Sequence, residues 1–282
     1  MQQGSLAALA IVRYPTLPSL EKFKNVDIQV GGRLFRQVPP QKRADLWTNL
    51  ARKTLTGRDS AMRYPALQAQ VANPKTCSEI DKDVPRTFPD VPGFNDSAGQ
   101  RRLTRILRSY SVLDPEVGYC QGMNFLAGVV LKYLPGSEAD AFGTFCVLMR
   151  DRNYRELFLP SMVHLQRRMA ELEAMLPGGL GRALSSRGVN PALYAPQWLL
   201  SCFSNEFPTT FSARIIDHLM GAHSLASEAL LRVGLEIFRN IDHQLLSSTD
   251  FETTLRTIRQ VPRQWNEDIL SRILSNALGC AE

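Results

Sequence analysis

Two short segments of the sequence carry side chains suited to chemistry on a phosphate group. The segment SEIDKDVPRTFPD, residues 78–90, places Arg86 directly after a proline, and the segment VGYCQGMNFLAG, residues 117–128, sets Gln121 between two glycines. A guanidinium is planar and always protonated, so it can stabilise negative charge that spreads over phosphoryl oxygens in a transition state. A neutral amide carries both a donor and an acceptor, so it can orient an attacking water. Together the two side chains match the needs of GTP hydrolysis.

Each residue also has an ordinary interpretation when its segment is taken alone. Arg86 fits a solvated loop arginine, and Gln121 fits a glutamine that caps the helix after it. Pro85 disfavours the helical region for Val84, which predicts that helix does not run smoothly into Arg86. The glycines beside Gln121 suit a tight turn that would point this side chain outward.

Helical periodicity dominates the rest of the chain. Apolar residues recur at helical spacing in RRLTRILRSYSVL, MVHLQRRMAELEAML and RADLWTNLARKTL, and we expect Gly57 to stop the third of these helices. WLLSCF, FSARIIDHLM and EALLRVGLEIF predict buried or half-buried helices. Residues 26–38 alternate briefly, which is typical of a short strand or an irregular lead-in. We therefore predict an all-α fold of many short helices, with long loops around residues 80–100 and 177–191, where function tends to lie.

Motifs and composition argue against several other classes of protein. The sequence has no GxxxxGK[ST], GxSxG or HExxH motif, and its four histidines show no metal-like spacing, so we expect no cofactor or metal site. The net charge of +6 is spread over 282 residues without a dense Lys/Arg run interleaved with aromatics, which argues against a nucleic-acid role.

Cysteine usage and hydropathy predict the compartment. The five cysteines are scattered and form no CxxC pair, which favours a reducing, cytoplasmic environment. The longest apolar stretch, MNFLAGVVLKYL, is interrupted by Lys132 and is too short to span a bilayer. Any association with membranes is expected to be peripheral and to depend on a partner.

The chain resembles the TBC-domain GTPase-activating proteins of Rab GTPases. The family's I-x-x-D-x-x-R and Y-x-Q fingerprints, the first continuing as T-F-P, are matched by Ile80, Asp83, Arg86, Thr87, Phe88, Pro89, Tyr119 and Gln121. VPPQKRADLW is similar to the family's opening I-P-x-x-x-R-x-x-x-W, and QWLLSCFSNEFPTTFSARIIDHLM to its W-F-L-x-x-F, L-P and R-I-W-D segment. The matching residues there are Pro39, Arg43, Trp47, Trp198, Phe203, Pro208, Arg214 and Asp217. Gln37 and Ile216 depart from this pattern, where glycine and tryptophan are usual, and both differences are expected to be structural.

The resemblance implies a V-shaped, two-lobed TBC domain over residues 33–245. The N-lobe, about 33–160, would carry both functional loops, and the C-lobe would begin at about 161. Residues 1–32 would be an N-terminal extension, and residues 246–282 would be C-terminal helices that complete or extend the C-lobe.

The resemblance also implies an activity. The chain would accelerate GTP hydrolysis by a GTP-loaded Rab, with Arg86 stabilising transition-state charge and Gln121, as a second finger, positioning the water. GTP and Mg²⁺ would be bound by the Rab, so the chain would need no cofactor of its own. It would be a catalytic activator in trans, with no independent hydrolase activity and a role in vesicle trafficking.

Five further residues would support the two functional loops. Asp83 is expected to orient Arg86 or tie down its loop, Tyr119 to pack under the loop and hold Gln121, and Asn124 to contact the Rab or cap the next helix. Thr87 and Gly122 complete this supporting set. Two alternatives stay open: a module of the same fold that recruits a Rab without accelerating it, and a helical scaffold that binds anionic surfaces through its basic charge.

Overall fold

The computed structural model describes residues 38–221 and 225–279, which form an α-helical fold in which this part of the chain has no strand. Its α-helices are α1 Pro40–Lys53, α2 Leu55–Gln68, α3 Pro74–Asp83, α4 Ser97–Leu113, α5 Met123–Tyr133, α6 Glu138–Cys146, α7 Val163–Met175, α8 Leu180–Ser186, α9 Ala195–Leu200, α10 Thr209–Gly221, α11 Ala226–Ser247, α12 Phe251–Gln260 and α13 Glu267–Leu278. Shorter 3₁₀ turns lie at Val84–Arg86, Tyr154–Phe158, Pro191–Leu193 and Pro262–Gln264, and a π turn at Val147–Asp151. The prediction of an all-α fold of many short helices is confirmed.

The first half of the fold is built around α5, which is apolar on nearly every side. Leu126, Ala127, Val129 and Val130 are fully buried, as expected for a helix covered all round. α5 packs against α4 and α6, and α6 packs closely across α2. This scaffold carries the segments that hold Arg86 and Gln121.

The second half is organised by α11, a helix of 22 residues. α7, α8, α9, α12 and α13 all pack against it. Its buried face includes Leu230, Val233, Ile237 and Phe238, each fully buried. The boundary between lobes near residue 160 stays a prediction.

A buried ion pair joins the two halves, where α10 packs on α1 and α5. Arg43 on α1 donates from Nε to both carboxylate oxygens of Asp217 on α10, at 3.2 and 2.9 Å, and Trp47 Nε1 donates to Asp217 Oδ1 at 2.8 Å. Burial raises the pKa of Asp217 to about 6, although Arg43 and Trp47 act in the opposite direction. Nearby, Ile216 is fully buried, so this departure from the family pattern lies in the core.

The predicted stop at Gly57 is wrong. α1 ends at Lys53 because Thr54 is extended, and Thr54 then caps α2 by accepting a hydrogen bond from Gly57 N at 2.9 Å. Gly57 therefore lies in the first turn of the next helix. A glycine at this position allows the start of α2 to pack closely on the end of α1, since a Cβ there would lie 2.2 Å from the carbonyl oxygen of Ala51.

Four other expectations are corrected in detail. Val84 adopts helical angles, φ −58° and ψ −47°, despite Pro85, because a 3₁₀ turn continues directly from α3. The long loop expected at 177–191 contains α8, and the loop expected at 80–100 begins only after the 3₁₀ turn. In WLLSCF the helix ends at Leu200. Residues 26–37 of the alternating segment, with Gln37, lie outside the described residues.

No helix in the described ranges is both long and apolar enough to cross a membrane.

Candidate functional site

Arg86 lies at the end of a helix with well-defined boundaries. Asn73 caps α3, its Oδ1 accepting from the backbone N of Lys75 at 2.9 Å and of Thr76 at 3.4 Å, and Pro74 begins the first turn. The α-helix ends at Asp83, and a 3₁₀ turn carries the chain to Arg86. The Arg86 side chain keeps 53% of its surface exposed, so it is accessible to a partner.

The loop after Arg86 is held in a strained conformation by close packing. Phe88 adopts φ +51°, which is unusual for a bulky residue, and its ring packs against Phe94 and Phe125 with centroids 5.7 and 5.5 Å apart. Gly128 on α5 makes this contact possible, because a Cβ there would lie 2.9 Å from the Phe88 ring. A glycine inside an apolar helical pattern was the sequence signal for this close approach.

Gln121 lies in a turn immediately before α5. Gly118 and Gly122 both adopt positive φ, +60° and +109°, and Gln121 between them is exposed. The helix N-cap is Gly122 and no side chain caps it, so the interpretation of Gln121 as a capping residue has no support here. A Cβ at Gly122 would lie 2.7 Å from Leu200 Cβ, which shows how closely the turn is seated on the end of α9.

One carboxylate connects the arginine segment with the glutamine segment. Asp83 Oδ1 lies 2.6 Å from Arg86 Nη2, and Asp83 Oδ2 accepts a hydrogen bond from the Tyr119 hydroxyl at 2.7 Å. Only 10% of the Asp83 side chain is exposed. Burial, followed by the Asp83 contact, raises the pKa of Tyr119 well above its ordinary value, so the hydroxyl stays a proton donor. Asp83 thus contacts Arg86 and Tyr119 in one arrangement, whereas the expectation that Tyr119 holds Gln121 stays a prediction.

A second, fully buried chain of hydrogen bonds links the same two segments. Thr87 Oγ1 donates to the Asp83 carbonyl oxygen at 2.8 Å and accepts from Asn124 Nδ2 at 2.7 Å. Asn124 Oδ1 in turn accepts from the backbone N of Gly122 at 3.0 Å. Thr87 and Asn124 are both 0% exposed. Asn124 therefore supports the turn from within, and the expectation that it contacts a partner is wrong.

These contacts define what the site can do. Arg86 and Gln121 project from two short segments that share the Asp83 carboxylate and the Thr87–Asn124 hydrogen bonds. The described residues contain no group of three or more His, Cys, Asp or Glu side chains placed to hold a metal ion. The side chains offered to a partner are a cation and an amide, which suit a ligand with developing negative charge and a bound water.

Comparisons with known proteins identify the family. The model of the Rab-GTPase-TBC domain, RabGAP-TBC, matches residues 40–246, and the chain belongs to this family. It is 30% identical over 250 residues to TBC1 domain family member 4 of Mus musculus and 32% identical over 253 residues to the Ecotropic viral integration site 5 protein homolog of Homo sapiens. These alignments cover 84% and 86% of this chain but 19% and 30% of the relatives, so the chain spans less than a third of their length.

Solved structures show the same fold. The Ypt/Rab-GAP domain of Gyp1p superposes with a TM-score of 0.76 at 18% identity, covering 92% of this chain and 96% of that domain. The Chlamydomonas flagellar RabGAP TBC domain superposes with a TM-score of 0.70 at 23% identity, covering 86% of this chain and 81% of that one. The helical architecture is therefore that of a TBC domain.

Proposed function

We propose that this chain is a GTPase-activating protein for a GTP-loaded Rab, acting through Arg86 and Gln121. The observation that carries the proposal is the shared carboxylate: Asp83 contacts Arg86 and Tyr119 at once, so the two segments are ordered together before any partner binds. Membership of the Rab-GTPase-TBC family supports the choice of partner, as does the name of a relative, Rab GTPase-activating protein eat-17 of Caenorhabditis elegans, 32% identical over 190 residues.

In this mechanism the two exposed side chains complete the active site of the Rab. The Rab binds GTP and Mg²⁺, and this chain contributes no cofactor. Arg86 stabilises the charge that builds on the phosphoryl oxygens, and Gln121 orients the water for in-line attack. An arginine supplied in this way is worth roughly 10³ to 10⁵ in rate, or about 4 to 7 kcal/mol of barrier. Binding to a membrane-attached Rab would bring the chain to membranes indirectly.

The exposure of Arg86 is compatible with that role. Half-exposed ion pairs contribute little to stability, typically about 0 to 1 kcal/mol, so the contact with Asp83 orients the guanidinium without holding it away from a phosphate. A lysine could supply the charge but not the planar arrangement of donors. Arg86→Lys should therefore lose most of the acceleration.

The test is single-turnover hydrolysis by a panel of GTP-loaded Rabs. The proteins compared are the full chain and its R86A, R86K and Q121A variants, with R63A and Q70A as controls because Arg63 and Gln70 are exposed residues outside the hydrogen-bonded network. We expect acceleration of one or a few Rabs, loss of nearly all of it in the three site variants, and no change in the controls.

Two results would contradict the proposal. If the chain binds Rabs in a nucleotide-dependent way but accelerates none of them, the domain is a recruitment module of the same fold. If binding is insensitive to nucleotide and falls steeply with salt, the basic surface is responsible and the scaffold alternative is correct.

A further inference from the structure

Two adjacent residues outside both fingerprints brace the Gln121 turn, one at its entry and one beneath its exit. Arg155 and Tyr154 lie on the 3₁₀ turn Tyr154–Phe158, which precedes α7. Arg155 contacts the chain that leads into the turn, and Tyr154 contacts the helix end on which the turn rests. Neither residue belongs to a motif identified in the sequence.

The first brace is an arginine–carboxylate pair. Arg155 donates from Nε and Nη2 to the two carboxylate oxygens of Asp114, at 2.6 and 3.0 Å, and also from Nη2 to Glu116. The carbonyl oxygen of Asp114 accepts from the backbone N of Gly118 at 2.8 Å. Burial alone raises the pKa of Asp114, but Arg155 and the Tyr110 hydroxyl outweigh it, so the pKa lies below its ordinary value. The carboxylate is therefore charged, and it anchors the segment entering Tyr119.

The second brace acts through α9. The buried Tyr154 hydroxyl donates to the carbonyl oxygen of Leu199 at 2.5 Å. The next residue, Leu200, packs against Gly122 so closely that a Cβ at position 122 would not fit. The 3₁₀ turn Tyr154–Phe158 thus contacts both the segment that leads into the Gln121 turn and the end of α9, against which Gly122 packs.

We infer that Arg155 is a positioning residue for Gln121, and that the turn Tyr154–Phe158 sets where the amide lies relative to the phosphate of a bound Rab. This inference rests on the proposed function. A bidentate guanidinium fixes orientation as well as distance. Misplacing a catalytic group by about 1 Å can cost on the order of 10²-fold in rate.

The structure offers a matched control for Arg155. Arg105 makes the same kind of contact elsewhere, donating from Nε and Nη2 to Glu138 at 2.9 and 2.5 Å, and Tyr64 donates to that carboxylate as Tyr110 does to Asp114. R155Q and R105Q therefore remove similar bidentate pairs, although Glu138 keeps a contact with Arg102 Nε at 3.3 Å, and only the Arg155 pair is joined to the glutamine turn.

The first experiment measures hydrogen exchange of residues 117–123 in the full-length R155Q and R105Q proteins. We expect exchange in this segment to rise in R155Q by about tenfold or more and to stay unchanged in R105Q. Equal exchange in the two variants would overturn the inference. If R155Q fails to fold, R155K carries the same comparison. Because no Rab is needed, this result stands even if the proposed function fails.

The second experiment is a double-mutant cycle in single-turnover hydrolysis. We expect R155Q to lower the rate by about 10- to 100-fold when Gln121 is present, and by less than about twofold in the Q121A protein. Independent, multiplying losses would show that Arg155 does not act through Gln121. Absence of acceleration by the unsubstituted chain would count against the proposed function alone, since the exchange measurement decides the positioning role.

Discussion

Tyr119 and Asp83, 36 residues apart, are joined by a hydrogen bond of 2.7 Å from the phenol hydroxyl to the carboxylate that also contacts Arg86. The two fingerprints of the family are therefore one structural unit. The segments that carry Arg86 and Gln121 are held by the same carboxylate.

Replacing Tyr119 by phenylalanine should uncouple the two segments while keeping the ring in place. We expect a loss of about 1.5 to 3 kcal/mol in the free energy of unfolding, because a hydrogen bond to a charged group is removed, together with a lower hydrolysis rate. Urea denaturation and single-turnover hydrolysis measure the two effects. Y64F removes a similar hydroxyl–carboxylate bond to Glu138 and should lower stability without lowering the rate per folded molecule. Equal rate losses in both variants would contradict the coupling.

Replacing Asn124 by alanine should destabilise the protein more than the small change in side-chain size indicates. Its amide satisfies Thr87 Oγ1 and the backbone N of Gly122, and the site is fully buried. Each lost partner leaves a buried polar group, so we expect about 2 to 4 kcal/mol of destabilisation and a slower activated rate. Thermal unfolding would measure the destabilisation, and limited proteolysis within residues 117–128 would report on the Gln121 turn itself. A variant as stable as the unsubstituted chain would show that water replaces the amide without cost.

The buried pair between Arg43 and Asp217 should matter for folding and not for chemistry. R43M leaves the Asp217 carboxylate buried with Trp47 as its remaining hydrogen-bond donor, and we expect a loss of about 3 to 5 kcal/mol in the free energy of unfolding. The double variant R43M/D217L should recover much of that loss, because no uncompensated charge remains.

A surface pair provides the control for this prediction. Arg256, 54% exposed, contacts Glu252, 81% exposed, and R256M should cost less than about 1 kcal/mol. Chemical denaturation of the four proteins measures the difference. If R43M and R256M cost the same, the ion pair between the halves is not a structural determinant.

His218 should make stability depend on pH. Burial, with a smaller contribution from Arg232, lowers its pKa from 6.5 to about 4. Between these values the unfolded chain binds a proton that the folded chain does not, so stability is fully present above pH 6.5 and falls as the pH drops towards 4. The shift corresponds to about 3 kcal/mol.

The neighbouring Asp217 changes stability in the opposite sense. Its pKa is raised to about 6, so the folded state takes up that proton first and gains stability as the pH falls below 6. The effect of His218 is therefore best measured as the difference in unfolding free energy between the unsubstituted chain and H218Q, from pH 7.5 to 4. A difference that is constant with pH would contradict the buried, neutral histidine.

The family, the helical class and the two candidate fingers could be predicted from the sequence because each depends on local information. Apolar residues at helical spacing indicate helices wherever they pack, and I-x-x-D-x-x-R and Y-x-Q are short enough to be recognised without a fold. Local reasoning was weaker at the ends of elements. Local reasoning predicts a helix stop at Gly57, whereas this glycine serves the close packing of α2. It also predicts a non-helical Val84, whereas Val84 has helical angles where α3 continues into a 3₁₀ turn.

What only the tertiary structure decided is the set of contacts between residues far apart in the chain. The Thr87–Asn124 hydrogen bond spans 37 residues, Arg155–Asp114 spans 41 and Tyr154–Leu199 spans 45. Each involves an ordinary polar residue whose partner depends on how whole helices pack, and no local pattern distinguishes a buried asparagine from an exposed one. The sequence determined which side chains could act on a phosphate, and the packing of α3, α5 and α9 determined how they are held.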